Sequence, residues 1–202
     1  MVANPESLLQ EARTGNGATL GRLLELYRRY LTLLARTQIG HRLQGKVDAE
    51  DLVQETFLEA HASFGRFRGT SEPELVRWLR QILAANLADL LRRYLGTQGR
   101  DIRLEREIED AFDRSSVLLD RGLVAAQSSP SQQAVRREQA MRLADALDQL
   151  SDDYREVLIL RHLEELSFPE VARRMNRSLD SVKNLWTRAL ARLRRTLKDR
   201  GT

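Results

Sequence analysis

Between Leu179 and Lys198 the apolar residues recur at three- and four-residue steps while basic residues fill the intervening positions, a pattern that an amphipathic helix satisfies. With Ser181 at zero, Val182, Trp186, Ala189, Leu190, Leu193 and Leu197 project between roughly 80° and 180° at about 100° per residue. Ser181, Asn184, Arg188, Arg192 and Arg195 project between roughly 300° and 20° on the same wheel. One side therefore belongs to a core, Trp186 included, and the opposite side is polar and basic.

The residues just upstream sharpen this reading. Ser167 and Glu170 have the spacing of a capping box, which opens a short helix carrying Val171, Ala172 and Met175 on one side. Asn176 tolerates the left-handed backbone of a sharp turn, and Ser178 has the side chain to cap the next helix. A short helix, a tight turn and a longer basic helix outline a helix-turn-helix. In such a unit Asp180, Ser181, Asn184 and Arg188 stand where groups meet base edges, and Lys183, Arg192 and Arg195 stand closer to phosphates. The plain alternative is a surface helix whose arginines are merely solvated.

Charge distribution favours a polyanionic partner. From Arg173 to Thr202 ten Lys and Arg face only Asp180 and Asp199, a local net of +8 in a chain whose total is +4. A hydrophobic content of 42% supports a buried core, and few Pro, Gly and aromatic residues favour helices, so an all-α chain is expected. No apolar run approaches the roughly 20 residues that span a bilayer, and the polar start MVANPESLLQEARTGNG lacks the apolar stretch of a secretory signal. No membrane insertion and a cytoplasmic location are expected. The absence of cysteine excludes disulfides, thiolate nucleophiles and Cys-ligated zinc, and His41, His61 and His162 lack metal-ligand spacing. No metal site and no catalytic constellation emerge: no Gly-rich phosphate loop and no nucleophile–base pair stand out, which weighs against a nucleic-acid-processing enzyme.

Two small helical domains joined by a flexible linker fit the rest. Leu23, Leu26, Tyr27, Tyr30, Leu31 and Leu34 share one helix face. A helix from Ala49 to Ser63 follows Asp48 as N-cap, and another follows Ser71, whose partner Glu74 completes a capping box. Leu75, Trp78, Leu79, Ile82, Leu83 and Leu90 form the apolar stripe of that last helix, with Trp78 expected in the core. The first block is expected to close at residue 95. Gly96, Gly99, Gly122 and the polar run QSSPSQQ mark 96–139 as linker, with a charged helix over 101–114 as an option within it. The second block, 140–202, is expected to hold helices near 140–150, 152–164, 168–175 and 179–198.

Two segments together resemble a known family. LSDDYREVLILRHLEELSFPEVARRMNRSLDSVKNLWTRALARLRRTL is similar to region 4 of extracytoplasmic-function (ECF) sigma factors, and DAEDLVQETFLEAHASFGRFRG followed by WLRQILAANLADLLRR is similar to region 2. The DLVQETF run is the most specific piece, and the resemblance covers about three-quarters of the chain. It implies a non-enzymatic subunit without cofactors that partners core RNA polymerase and promoter DNA, and it leaves room for an anti-sigma protein.

Region 2 of the family docks on the largest polymerase subunit, which makes Asp51, Gln54, Glu55 and Leu58 the polymerase-contact candidates. Their alternative, acids favouring a helix N-terminus, accounts for Asp51 but not for Gln54 or Leu58. The family also captures flipped bases of the minus-10 element near the following loop, which nominates Phe64, Phe67 and Arg68; inward packing is the alternative for the phenylalanines. Arg77, Arg80, Gln81 and Arg92 lie off the apolar stripe as candidate contacts to the opened strand, and Asn86 is either a further contact or an internal hydrogen-bonding residue. Region 4 would read the minus-35 element through the seven residues named above. Asp180 stands where the family often has a small residue and Leu185 where it often has Arg, so upstream-element preference does not transfer. A free-standing helix-turn-helix regulator is the remaining alternative.

Overall fold

The computed structural model describes residues 4–42, 47–95, 102–121 and 133–199, all helices and short connections. It divides into two compact units, Met1–Asp113 and Arg114–Thr202. The Gly96, Gly99, Gly122 and QSSPSQ portions of the expected linker lie outside the described residues.

The first unit starts earlier than its apolar periodicity suggested. Helix α1 (Pro5–Arg13) begins at Asn4, whose Oδ1 accepts from the Glu6 amide at 3.1 Å, and Pro5 occupies a first-turn position that needs no donor. Its Leu8, Leu9 and Ala12 are buried. Asn16 caps α2 (Gly17–Glu25) by accepting from Ala18 and Thr19, each at 3.2 Å. The Leu23–Leu34 face expected on one helix is split: α2 ends before Leu26–Tyr27, and α3 spans Arg28–Arg42. Tyr27 is 1% exposed at this corner, and its hydroxyl donates to Glu72 at 3.0 Å.

Asp48 caps α4 (Ala49–Ser63), accepting from the Glu50 amide at 2.8 Å. A 3-10 turn, Phe64–Arg66, leads on toward α5 (Glu72–Leu95), where Glu74 accepts from the Ser71 amide and hydroxyl at 3.0 and 2.7 Å. Those bonds hold the Glu74 carboxyl down at about 2. Helix α4 packs on α2, α3 and α5, and Leu31, Leu34, Val53, Leu79 and Leu83 are fully enclosed. Each such side chain contributes about 1.5–3 kcal/mol relative to an exposed one. Asn86 belongs to this interior. It is 7% exposed and donates to Thr56 Oγ1 at 3.4 Å, while Thr56 donates to the Leu52 carbonyl at 2.8 Å.

Helix α6 (Ile102–Arg121) falls within the stretch read as linker, and the first unit includes its residues to Asp113, beyond the boundary expected at 95. Its Ile108 and Phe112 are both 0% exposed, which a tether would not require.

In the second unit α7 (Gln133–Asp148) begins before the expected 140, and α8 (Asp152–Leu158) passes into a π-helical turn, Ile159–Leu163. The Glu164 amide donates to the Ile159 carbonyl at 3.0 Å, five residues back, and Glu165 then turns the chain at φ 55°. Helices α9 (Phe168–Arg174) and α10 (Leu179–Asp199) follow, with α7, α8 and α9 all packed on α10.

Arg155 joins α7 to α8. Its guanidinium donates to the carbonyls of Leu147, Asp148 and Leu150 at 3.1, 2.8 and 3.0 Å, closing groups that a helix C-terminus leaves open. Replacing Arg155 with Ala is expected to destabilise the second unit by about 2–3 kcal/mol, because the Asp148 and Leu150 carbonyls lose this donor together and the Leu147 carbonyl keeps only the Leu150 amide. Arg155→Lys should recover only part of that loss, a single ammonium being unable to match the fork. Urea unfolding of both variants checks this.

Candidate nucleic-acid interface

The turn between α9 and α10 is built as its residue types require. Asn176 adopts φ 51°, the Arg177 amide donates to the Ala172 carbonyl at 3.0 Å, and the chain reverses within four residues. Ser178 Oγ accepts from the Ser181 amide at 3.3 Å, starting α10. Arg177 ion-pairs with Asp153 on α8 at 2.7 Å.

Val182, Ala189 and Leu193 are at most 2% exposed and anchor α10, and Trp186 and Leu190 are half-buried. Leu197, read as core, is 36% exposed near the helix end. On the opposite side Asp180, Lys183, Asn184, Arg188, Arg192 and Arg195 are all exposed, and Ser181 is half-buried beside them. The anchoring forces that result: with one face committed to α7, α8 and α9, the polar face has only solvent or a partner to meet.

Trp186 is less enclosed than a core tryptophan. Its ring stacks on His162 with centroids 6.1 Å apart and meets the edge of Phe168 at 5.4 Å, and its Nε1–H donates to His162 Nε2 at 3.0 Å. Burial, helped by the nearby Arg161 charge, pushes the His162 pKa down and favours the neutral imidazole that this bond needs.

In the first unit Asp51, Gln54, Glu55 and Leu58 share the outer face of α4. All four are exposed, Leu58 at 64%. Gln54 accepts from Arg28 at 3.1 Å, and Glu55 lies 3.9 Å from Arg93 on α5. Beside them a shallow cleft is lined by Asp51, Leu52, Glu55, Leu90 and Tyr94, and Tyr94 is 51% exposed.

Phe64, Phe67 and Trp78 form a half-exposed aromatic cluster in place of the core position expected for Trp78. Phe67 stacks on Trp78 at 4.8 Å and on Phe64 at 5.9 Å, and the Arg13 guanidinium lies 6.0 Å from the Phe67 centroid. Gly69 makes this possible. A Cβ there would come within 2.4 Å of the Phe67 ring. Arg68 and Arg77 are exposed nearby in sequence.

The other three α5 candidates are engaged from within the chain. The Arg80 side chain, 16% exposed, pairs with Asp113 at 3.0 Å, and Gln81 donates to Glu109 at 3.1 Å. Arg92, 14% exposed, pairs with Asp89 and with Glu105 at 3.3 Å. Sequence reasoning placed these side chains off the apolar stripe but had no sign of the α6 carboxylates that meet them.

Segments of both units match known protein families. The family profile described as Sigma-70 region 2 matches residues 26–95, and that described as Sigma-70, region 4 matches 140–193. RNA polymerase sigma-H factor of Pseudomonas aeruginosa is 30% identical over 145 residues, covering 70% of this chain and 69% of the relative. The chain belongs to the ECF group of sigma-70 RNA polymerase sigma factors. The ECF RNA polymerase sigma factor BldN of Streptomyces coelicolor is 30% identical over 192 residues, 95% of this chain; this sigma factor spans 65% of BldN's length. SigM of Bacillus subtilis is 29% identical over 182 residues, covering 88% of this chain and 95% of SigM. A chain from the RsbN–BldN complex aligns over 93% of this chain and 97% of its own, at 24% identity and a TM-score of 0.33. Helices α3 to α5 of this sigma factor thus fall in the region 2 match, α8 to α10 largely in region 4, and α1, α2 and α6 in neither. Among the described residues no helix is long and apolar enough to cross a membrane.

Glu164 gives the region 4 unit a pH dependence. Burial, with Glu156 adding and Arg174 opposing, raises its carboxyl to about 7, and its Oε2 is enclosed without a hydrogen-bond partner. The neutral form favours the folded state, so the contribution is complete below the unfolded value near 4.5 and is lost as pH rises through about 7. Glu164→Gln should therefore stabilise the unit above pH 7 by roughly 1 kcal/mol after solvent screening and have little effect at acid pH. Urea unfolding followed through Trp186 in a Trp78→Phe background reads this.

Proposed function

We propose that this chain directs core RNA polymerase to promoters, its first unit docking on polymerase and handling the minus-10 element while its second unit reads the minus-35 element. The observation that supports it most is the pairing of two unlike surfaces in one chain. An acidic helix face with an outward leucine stands on α4, and a basic helix-turn-helix face stands on α10.

In this reading Asp51, Gln54, Glu55 and Leu58 meet polymerase, a leucine at 64% exposure being the apolar centre that a protein partner covers. The Phe64, Phe67 and Trp78 cluster offers ring faces to flipped bases, with Arg68 and Arg77 near the phosphates; base–aromatic stacking contributes about 1–3 kcal/mol per base. On α10, Ser181, Asn184 and Arg188 meet base edges in the major groove, Asp180 accepts from a cytosine amine, and Lys183, Arg192 and Arg195 hold phosphates. Polymerase supplies the chemistry, so the chain contributes recognition and strand capture and works in the cytoplasm beside it.

Transcription from a genomic promoter library with purified core polymerase tests the whole reading, and start sites that depend on this chain are the expected result. Tight operator binding with no effect on start-site choice would instead favour a free-standing regulator. Leu58→Asp should lower affinity for core polymerase by tenfold or more, on the order of 1.4 kcal/mol, without altering α10 binding to duplex DNA. Lys183→Ala should flatten the salt dependence of duplex binding by about one unit whatever the sequence, whereas Asn184→Ala should relax base preference at one position.

A further inference from the structure

Three carboxylates on α6 occupy the polar row of α5. Glu105, Glu109 and Asp113 are spaced four residues apart, which sets them on one stripe with a rise of roughly 6 Å between neighbours. In antiparallel order they engage Arg92 at 3.3 Å, Gln81 at 3.1 Å and Arg80 at 3.0 Å. These α5 groups are three of the four on that helix assigned above to the opened strand, and Arg77 alone stands outside the α6 pairs. Both arginines are at least four-fifths enclosed, so their charges are committed where they stand.

The row has a firm base. Ile108 and Phe112, one position before Glu109 and Asp113, are completely buried, so α6 is held by apolar packing as well as by charge. A regularly spaced line of anions held against arginines offers what a nucleic-acid backbone offers. The segment lies outside both matched regions, and in the first unit its remaining face is mixed in charge, carrying Arg103, Arg106, Glu107 and Asp110.

We propose that α6 is an internal cover that mimics a strand's phosphates, holding Arg80, Gln81 and Arg92 away from single-stranded DNA until it is displaced. The proposal rests on the reading that α5 faces the opened strand. A strand that replaces the three carboxylates must recover the burial of Ile108 and Phe112 through contacts elsewhere. Weak strand binding by the free chain follows, with stronger binding where polymerase or promoter contacts compensate. Because the competing groups are charges, exchanging them for amides of the same shape removes the α6 hold on the arginines without removing the helix, leaving Arg92 its Asp89 partner and Arg80 the Tyr30 hydroxyl.

Fluorescence anisotropy of the full chain with a short labelled single strand of mixed sequence tests this, since phosphate contacts are independent of sequence. The variant Glu105→Gln, Glu109→Gln, Asp113→Asn is compared with Glu6→Gln, Glu59→Gln, Asp110→Asn, which changes net charge equally at exposed positions. The expected result is tighter binding than in the charge-matched control, with a salt slope steeper by about 1.4, two added phosphate contacts at about 0.7 each. Adding Arg80→Ala and Arg92→Ala should abolish the excess. No gain beyond the control, or a gain that survives loss of both arginines, overturns the cover. Arg77→Ala in the wild-type chain separates this failure from that of the reading beneath it. If Arg77→Ala weakens strand binding while the amide variant gains nothing, only the cover falls; if Arg77→Ala has no effect, the assignment of α5 to the strand falls, and the cover with it.

Discussion

Burial of one face per helix is the constraint on which this chain depends. Helices of 7 to 24 residues rich in Arg, Glu and Asp have little stability alone, so each persists only where its apolar stripe meets another. That requirement also decides what is left outside. Val182, Ala189 and Leu193 fix the rotation of α10 and thereby turn its arginines away from the core, and Val53 and Ala60 do the same for the acidic side of α4. Function here is the residue of packing: each candidate surface is the face its helix could not bury.

Where the signals were local, the sequence was readable. Asp48, Ser71 and Glu74, Ser178 and Asn176 each act within a few residues of themselves, and their caps and turn stand where the residue types placed them. The α10 wheel held for the same reason, since a helix face is determined by spacing once the helix exists. Leu197 departs from it, being 36% exposed in the last turn of α10.

What escaped the reading depends on partners far along the chain. Nothing in Leu26–Tyr27 announces a break, as neither residue is a breaker; the corner is held by Tyr27 reaching Glu72. Arg155 looks like any surface arginine until the carbonyls of α7 converge on it. In α6, Ile108 and Phe112 are four residues apart in a run so charged that it reads as tether, and its acids gain meaning only beside Arg80, Gln81 and Arg92. For Trp78 an aromatic residue on an apolar stripe has two outcomes, enclosure or a stack at the rim, and Gly69 with Phe67 selects the second.

The π-helical turn at Ile159–Leu163 carries a consequence for how this sequence can vary. One residue more than an α-helical turn is wound into that short span just ahead of α9. Trimming a single residue there would turn the bulge into an ordinary α-helical turn with the residues beyond it at nearly the same angular position, whereas adding or removing one in the regular part of α8 would swing everything downstream by about 100° about the local axis. Val171 and Val182 would then lose their seats while the basic face pointed elsewhere. The bulge is therefore the point at which this segment can lose a residue while α9 and α10 keep their seats, and the regular turns of α8 ahead of it are where length is fixed.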